Sequence, residues 1–264
     1  MYSPFRLAGK YLRYYLSASN GKGHGIHSPF VFEFVTRILH DQRGNREYAP
    51  IEALRERLRR DPTLLVVEDM GAGSASPASS TRRIRDIVRY SAKPPRLGQL
   101  LFRVARHYQP STILELGTSL GLSTAYLAAG SPGSNLYTIE GACPLAAVAD
   151  AHLHSLQLDA KIITGNFDNE LIPLLDRLPP IDLAFIDGNH RYDPTLRYFE
   201  AILRHCSRSA VLIFDDIHWS AEMEKAWAAI KNDPRIYLTI DLFFLGFVFI
   251  REEFKVKQDF TIRF

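Results

Sequence analysis

Ser111-Thr-Ile-Leu-Glu-Leu-Gly-Thr-Ser-Leu-Gly-Leu-Ser-Thr-Ala-Tyr-Leu-Ala128 decides how this chain is read. Residues 113–116 are a short apolar run holding one carboxylate, Glu115. Gly117 and Gly121 bracket a turn, and from Leu122 onward the spacing is helical, with Ser123 and Thr124 near its start. A strand, a tight glycine turn and a helix form the first half of a nucleotide-binding βαβ unit. Residues 136–140, Leu-Tyr-Thr-Ile-Glu, then read as a second strand. It ends in Glu140, where a carboxylate reaches ribose hydroxyls.

A dinucleotide does not fit the details. A pyrophosphate-binding turn uses G-x-G-x-x-G so that backbone amides approach two phosphates. Here the order is Glu115-Leu-Gly-Thr-Ser-Leu-Gly121, and a carboxylate directly before the loop repels phosphate while suiting an ammonium group. S-adenosylmethionine (SAM) carries an ammonium, a sulfonium and a ribose, and no phosphate. The stretch resembles class I SAM-dependent methyltransferases, in which an acid and a glycine-rich turn follow the first strand and an acid ends the second. The resemblance implies SAM as cofactor, held by Glu115, Gly117, Thr118, Ser119, Gly121, Ser123 and Glu140. Taken alone, the turn is also compatible with an ordinary strand–turn–helix of another α/β protein.

Upstream lies a competing signal, Thr63-Leu-Leu-Val-Val-Glu-Asp-Met-Gly-Ala-Gly-Ser74, which also joins an apolar run, an acid and G-x-G. No strand with an acidic end is expected after it. Residues 75–80 read as a small-residue loop and residues 81–91 as a basic helix. This region is therefore expected to be a pre-domain strand and a loop that covers the site. Residues 2–19 read as an aromatic-rich amphipathic helix, with Leu7, Tyr11, Tyr14 and Tyr15 on related faces. Helices are also expected at 30–40, 51–60 and 93–108. Between the helices at 2–19 and 30–40, a glycine-rich stretch holds His24 and His27, either ligands or hydrogen-bonded packing residues.

From residue 111 the alternation is regular, with strands expected at 112–116, 135–140, 160–164, 181–186 and 209–214 and helices between them. That pattern gives a parallel sheet with helices on both faces and ligands at the carboxyl ends of the strands. A helix at 221–231 precedes two β-rich runs, 236–241 and 244–251, that read as a hairpin, and 260–264 as a short edge segment. The fold class is α/β, Rossmann-like. The methyltransferase resemblance, covering about residues 95–251, implies a seven-stranded mixed sheet in the order 3-2-1-4-5-7-6. The expected domains are an N-terminal helical extension, 1–92, and a SAM-binding domain, 93–264.

Two motifs at strand ends carry the chemistry. Asp182-Leu-Ala-Phe-Ile-Asp-Gly-Asn-His-Arg-Tyr192 puts Asp187 at the end of the fourth core strand. Val211-Leu-Ile-Phe-Asp-Asp-Ile-His-Trp219 puts Asp215 and Asp216 at the end of the fifth. Clustered carboxylates need a counter-charge, and an oxygen-rich set with open positions favours Mg²⁺ or Mn²⁺. The motifs resemble the metal-binding segments of cation-dependent, catechol-type O-methyltransferases, and a broader Asp-Gly-x-His-x-Tyr subgroup. Asp187 and Asp215 match that family's two acids, Asp216 stands where Asn is usual, and Trp219 matches its Trp. Asp187, Asp215 and Asp216 are therefore the expected metal ligands, with Asp187 also against the cofactor and the acceptor. Alternatively, one or more of these acids caps the following helix.

A methyl acceptor hydroxyl must lose its proton, and an imidazole suits that role. His190 and His218 are the candidate bases, His190 preferred; either could instead orient a carboxylate. Asn166 and Phe167, after the third strand, occupy the segment that flanks adenine in such folds, with helix capping by Asn166 as the plainer role.

Composition sets the bounds. The 264 residues are 46% hydrophobic and 23% charged, as in a globular protein with ample core. Two cysteines make no disulfide framework, and residues 1–25 lack the apolar core of a signal peptide, so the cytoplasm is the expected compartment. Net charge is +3 but uneven: residues 1–109 hold 19 Lys and Arg against 9 Asp and Glu, and residues 110–264 hold 13 against 20. A basic front is compatible with an anionic partner or with helices docked on an acidic body. The Asn/Asp-Pro-Pro-Tyr motif of base N-methyltransferases is absent; Asp187-Gly-Asn-His stands there, which argues against nucleic acid. The expected function is methyl transfer to a hydroxyl of a small molecule, with no membrane partner and with residues 1–92 shaping the acceptor pocket or a homodimer contact. The alternatives are a nucleic-acid methyltransferase and a non-catalytic binding protein on the same fold.

Overall fold

The computed structural model describes residues 1–18, 28–41, 46–69 and 78–264. His24, His27 and the Met70–Ser74 part of the upstream glycine motif lie outside the described residues. Contacts divide the chain into two compact units, residues 42–178 and residues 1–41 with 179–264.

Within 42–178, three parallel strands run in the order β3 (Thr112–Leu116), β4 (Asn135–Glu140), β5 (Lys161–Thr164). All five β3 residues are buried, as expected for a strand covered on both faces. Its partner helices follow from pattern: α5 (Pro95–Tyr108) starts on proline and buries Leu97, Leu100, Leu101, Phe102, Val104 and Ala105 along one stripe. The helices α6 (Leu122–Gly130), α7 (Cys143–Ser155) and α8 (Phe167–Leu175) each follow a strand, as the βα alternation predicts. Residues of the N-terminal segment share this core. Ile51, Leu54 and Leu58 of α3 (Tyr48–Leu58) and Ile84, Ile87 and Val88 of α4 (Ile84–Tyr90) cluster with Phe102, Leu120 and Tyr126.

Of the region expected as a loop and a helix over 75–91, residues 75–77 lie outside the described residues, and the rest differs from that expectation. Ala78–Arg83 is a strand, β2, paired antiparallel with β1 (Leu64–Asp69), and the helix is shortened to α4. Local propensity yields here to pairing: Thr81 sits opposite Val66 and Arg83 opposite Leu64, a hairpin built from β-branched and long side chains. This two-stranded sheet is separate from the main one.

The second unit holds β6 (Ile181–Ile186), β7 (Cys206–Asp215), β8 (Leu238–Asp241), β9 (Leu245–Phe249) and β10 (Gln258–Thr261). β6 pairs parallel with β7, β7 antiparallel with β9, β9 antiparallel with β8, and β8 parallel with β10. The predicted hairpin is thus β8–β9. The eight strands β3–β10 belong to one mixed sheet. The expected order appears as its two runs, 3-2-1 in β5-β4-β3 and 4-5-7-6 in β6-β7-β9-β8, with β10 as an additional edge strand. Helices α9 (Tyr192–Leu203) and α10 (Ala221–Asn232) follow β6 and β7.

Two N-terminal helices belong to this unit. α1 (Pro4–Ser17) is capped by Ser3 and buries Tyr14. The helix expected at 30–40 is α-helical only over α2 (Pro29–Glu33) and widens to a π-helix over Phe34–Leu39. Thr36 Oγ1 donates to the Phe32 carbonyl at 2.8 Å in that segment, a back-bond that competes with the regular ladder. Both cysteines are free, and burial pushes the Cys206 thiol up to about 12, so it is no thiolate nucleophile near neutral pH. Among the described residues no helix is long and apolar enough to cross a membrane.

Candidate active site

In the 42–178 unit, the glycine turn is a cradle of backbone amides held by two carboxylates. Gly117 and Gly121 have φ of 101° and 79°, and Ser119 between them has φ of 49°. A Cβ on Gly121 would stand 3.2 Å from the Ala149 Cβ, so both conformation and space require glycine there. Glu140 ties the turn down. Its Oε2 accepts from the Ser119 amide at 2.7 Å and its Oε1 from the Ala142 amide at 3.0 Å. These two bonds orient the Glu140 carboxylate toward the turn.

Glu115, the expected ammonium partner, is fully buried. Its Oε2 accepts from Thr124 Oγ1 at 2.5 Å and Thr138 Oγ1 at 2.8 Å, and Thr138 meets Thr118 Oγ1 at 2.6 Å. Glu115 therefore braces the turn, α6 and β4 against one another. Ser123 is half-buried in the first turn of α6. Asn166 caps α8, its Oδ1 accepting from the Asp168 amide at 2.9 Å, and Phe167 is half-buried beside it. The Gly165 amide donates to the Glu140 carbonyl at 2.9 Å, which brings this segment to the end of β4.

In the other unit, the parallel pairing of β6 with β7 places Asp187 and Asp215 at one sheet edge. The structure gathers Asp187, His190 and Asp215, with one donor atom of each within 4.8 Å of the others. Asp215 is buried, and His190 Nε2 lies 3.5 Å from Asp187 Oδ1. The loop is set by Asn189, at φ of 54°, whose Nδ2 donates to Tyr198 Oη at 2.8 Å. Two oxygen donors and one imidazole at this spacing fit a divalent cation.

Asp216 is not in that group; His190 takes its place. The reason lies in the backbone: Asp216 has φ of 53°, its amide donates to the Phe244 carbonyl at 2.8 Å, and its carbonyl accepts from the Trp219 amide at 2.9 Å. It turns the chain after β7. His218 is not brought to the group either. Its Nε2 is 2.9 Å from Asp241 Oδ2 and its Nδ1 is 3.0 Å from Glu224 Oε1. Burial alone would lower the imidazole's pKa, but the hydrogen bonds and charges of Asp241 and Glu224 outweigh it, and the pKa is raised. Lys10 Nζ and Tyr2 Oη also reach Glu224, at 2.9 and 2.8 Å, and Trp227 Nε1 reaches Asp241 at 3.2 Å. Sequence reading missed this network because Tyr2 and Glu224 are 222 positions apart and no motif links them.

Residues 114–217 match the family described as a methyltransferase domain. This part of the chain is similar to methyltransferase domains. The chain is 29% identical over 161 residues to a catechol O-methyltransferase of Mycobacterium tuberculosis, covering 58% of this chain and 67% of that protein. It is 36% identical over 121 residues to the transmembrane O-methyltransferase homolog of Rattus norvegicus, covering 42% and 46% of the two. The O-methyltransferase of Bacillus cereus, solved in complex with SAH, superposes with a TM-score of 0.53 at 18% identity, over 83% of this chain and 97% of that one. The aligned part thus spans between 46% and 67% of the curated relatives' lengths.

Proposed function

We propose that the protein is a SAM-dependent O-methyltransferase acting on a small hydroxylated molecule in the cytoplasm. The observation that carries the reading is the cradle, in which the Glu140 carboxylate, at the end of the second strand, is bonded to the Ser119 and Ala142 amides beside a glycine turn. An acid at that strand end suits a ribose diol. Glu115 braces the turn, Thr118, Ser119 and Ser123 line it with polar groups, and Asn166 and Phe167 flank the adenine. Residues 93–264 make up the SAM-binding domain, and residues 1–92 an extension whose α3 and α4 share its core.

SAM, when bound, supplies an already activated methyl group, so the protein's part is alignment and proton removal. Asp187 and Asp215 would hold Mg²⁺ or Mn²⁺, which would lower the acceptor hydroxyl's pKa. His190, 3.5 Å from Asp187, would take the proton that the acceptor hydroxyl loses as the methyl leaves the sulfonium sulfur for the oxygen, and Asp187 would steady the imidazolium that results. The test is calorimetric titration of the metal-free protein with S-adenosylhomocysteine (SAH), repeated with Mg²⁺ and a catechol. Micromolar SAH binding that Glu140→Ala removes is expected; no binding of any adenosyl ligand would sink the reading.

A further inference from the structure

Helix α1 is docked by one face and displays another. The docked face is well anchored: Tyr14 is buried with its hydroxyl donating to the Ile262 carbonyl, and the Tyr11 ring stands edge-on to Phe243 with centroids 5.1 Å apart. Lys10 on the same side is paired with Glu224. Phe5, Leu12 and Leu16 fall nearly opposite, at i, i+7 and i+11, and are 92%, 58% and 70% exposed. Gly9 completes that stripe, and a Cβ there would meet nothing within 4 Å.

The stripe's surroundings say what covers it. α1 contains Arg6, Lys10 and Arg13 and no acid. Arg6 and Arg13, seven residues apart, line one flank of the stripe. On the other flank is the exposed Tyr15, with the Arg263 guanidinium carbon 4.7 Å above its ring. A second copy packed symmetrically on this stripe would set arginine against arginine, because an isologous contact repeats the same patch on both sides. An anionic lipid surface is complementary on every count. The apolar stripe enters the acyl boundary, the arginines reach phosphates, and the tyrosine sits at the headgroup level.

We propose that α1 docks this protein on anionic membranes, lying in the interface plane rather than crossing the bilayer. Cations near an anionic leaflet and a buried apolar stripe act together, so neither alone should suffice.

Co-sedimentation with vesicles of phosphatidylcholine containing about a quarter phosphatidylserine tests this. The wild-type protein is expected to bind these vesicles, to ignore pure phosphatidylcholine, and to be released by about 0.5 M NaCl. Leu12→Asp/Leu16→Asp and Arg6→Glu/Arg13→Glu should each lower the bound fraction about tenfold or more. Circular dichroism melting checks that both variants are folded, and their SAH titrations keep this outcome separate from that of the methyltransferase reading. Three results overturn the proposal: no binding of the wild type to the anionic vesicles, equal binding by the stripe variant, or a wild-type dimer in light scattering that Leu12→Asp converts to monomer.

Discussion

The glycine cradle and the Asp187–His190–Asp215 group are built by opposite means. The cradle is made of main chain: the amides of Ser119 and Ala142 converge on one carboxylate, and positive φ at Gly117, Ser119 and Gly121 bends the turn around it. The group is made of side chains, two carboxylates and an imidazole at the ends of neighbouring parallel strands. A site of backbone cannot be edited without disturbing the fold, whereas a site of side chains can be emptied one residue at a time. Substitutions in the two regions should therefore fail in different ways.

The largest effect is expected at Glu140. Glu140→Ala strands two amide donors in a buried place, at a cost of about 1–3 kcal/mol each. It also removes the ribose acceptor, so SAH affinity should fall about a hundredfold or more. Calorimetry and thermal melting read both losses. If affinity changes by less than about threefold while stability drops, Glu140 serves the turn alone, and the contrast between the regions weakens.

The group should behave in the reverse way. His190→Gln and Asp215→Asn should each lower methyl transfer about a hundredfold or more. SAH affinity should stay within about twofold of wild type. Turnover and calorimetry on the same preparations separate the two readouts. Loss of SAH binding in either variant would merge the two regions into one ligand site.

What could be read from the sequence follows the same division. The cradle lies within one βαβ run, its bonds join residues of that single run, and the pattern Glu-Leu-Gly-Thr-Ser-Leu-Gly announces it. Strands 112–116, 135–140 and 181–186 match β3, β4 and β6 because continuous apolar runs between helices leave few alternatives. Asp187 and Asp215 were legible as strand-end acids. Two things were not: that Asp216 would turn the chain at positive φ, and that His190 would stand in its place. The first depends on a backbone turn held through the Phe244 carbonyl, the second on the loop set by Asn189. The β1–β2 hairpin was missed for a related reason, since pairing between Leu64–Asp69 and Ala78–Arg83 overrides local preference.

A third contrast concerns the anchor of α1, where charge rather than backbone holds the structure. Burial raises the Glu224 pKa, but hydrogen bonds from Lys10, Tyr2 and His218 outweigh it, and the carboxyl sits below its ordinary 4.5. Its contribution is therefore present above about pH 4.5 and lost as pH falls through the lower folded value. The His218 pKa is raised above 6.5, so its contribution is complete below that pH and is lost as pH rises through the folded value. The anchor is strongest between the two. Melting temperatures across this range should show a wild-type maximum that His218→Gln flattens on its alkaline side, by about 1 kcal/mol. An unchanged profile would mean that the aromatic contacts of Tyr11 and Tyr14 hold α1 without help.

The smallest effect sharpens the cradle itself. Asn166 caps α8 through its Oδ1, and that bond alone predicts that Asn166→Ala costs about 1 kcal/mol of stability. A cap that does nothing else leaves SAH affinity almost unchanged, and Asn166→Asp, which keeps the acceptor, should restore the stability. An adenine contact through the Asn166 side-chain amide behaves otherwise. It would cost about tenfold in affinity, and aspartate, which has no amide donor, would restore the melting temperature without restoring the affinity. Because Gly165 is tied to the Glu140 carbonyl, this segment is held at the end of β4 whichever result is found. The split between the two readouts therefore reports on the side chain and not on a displaced loop.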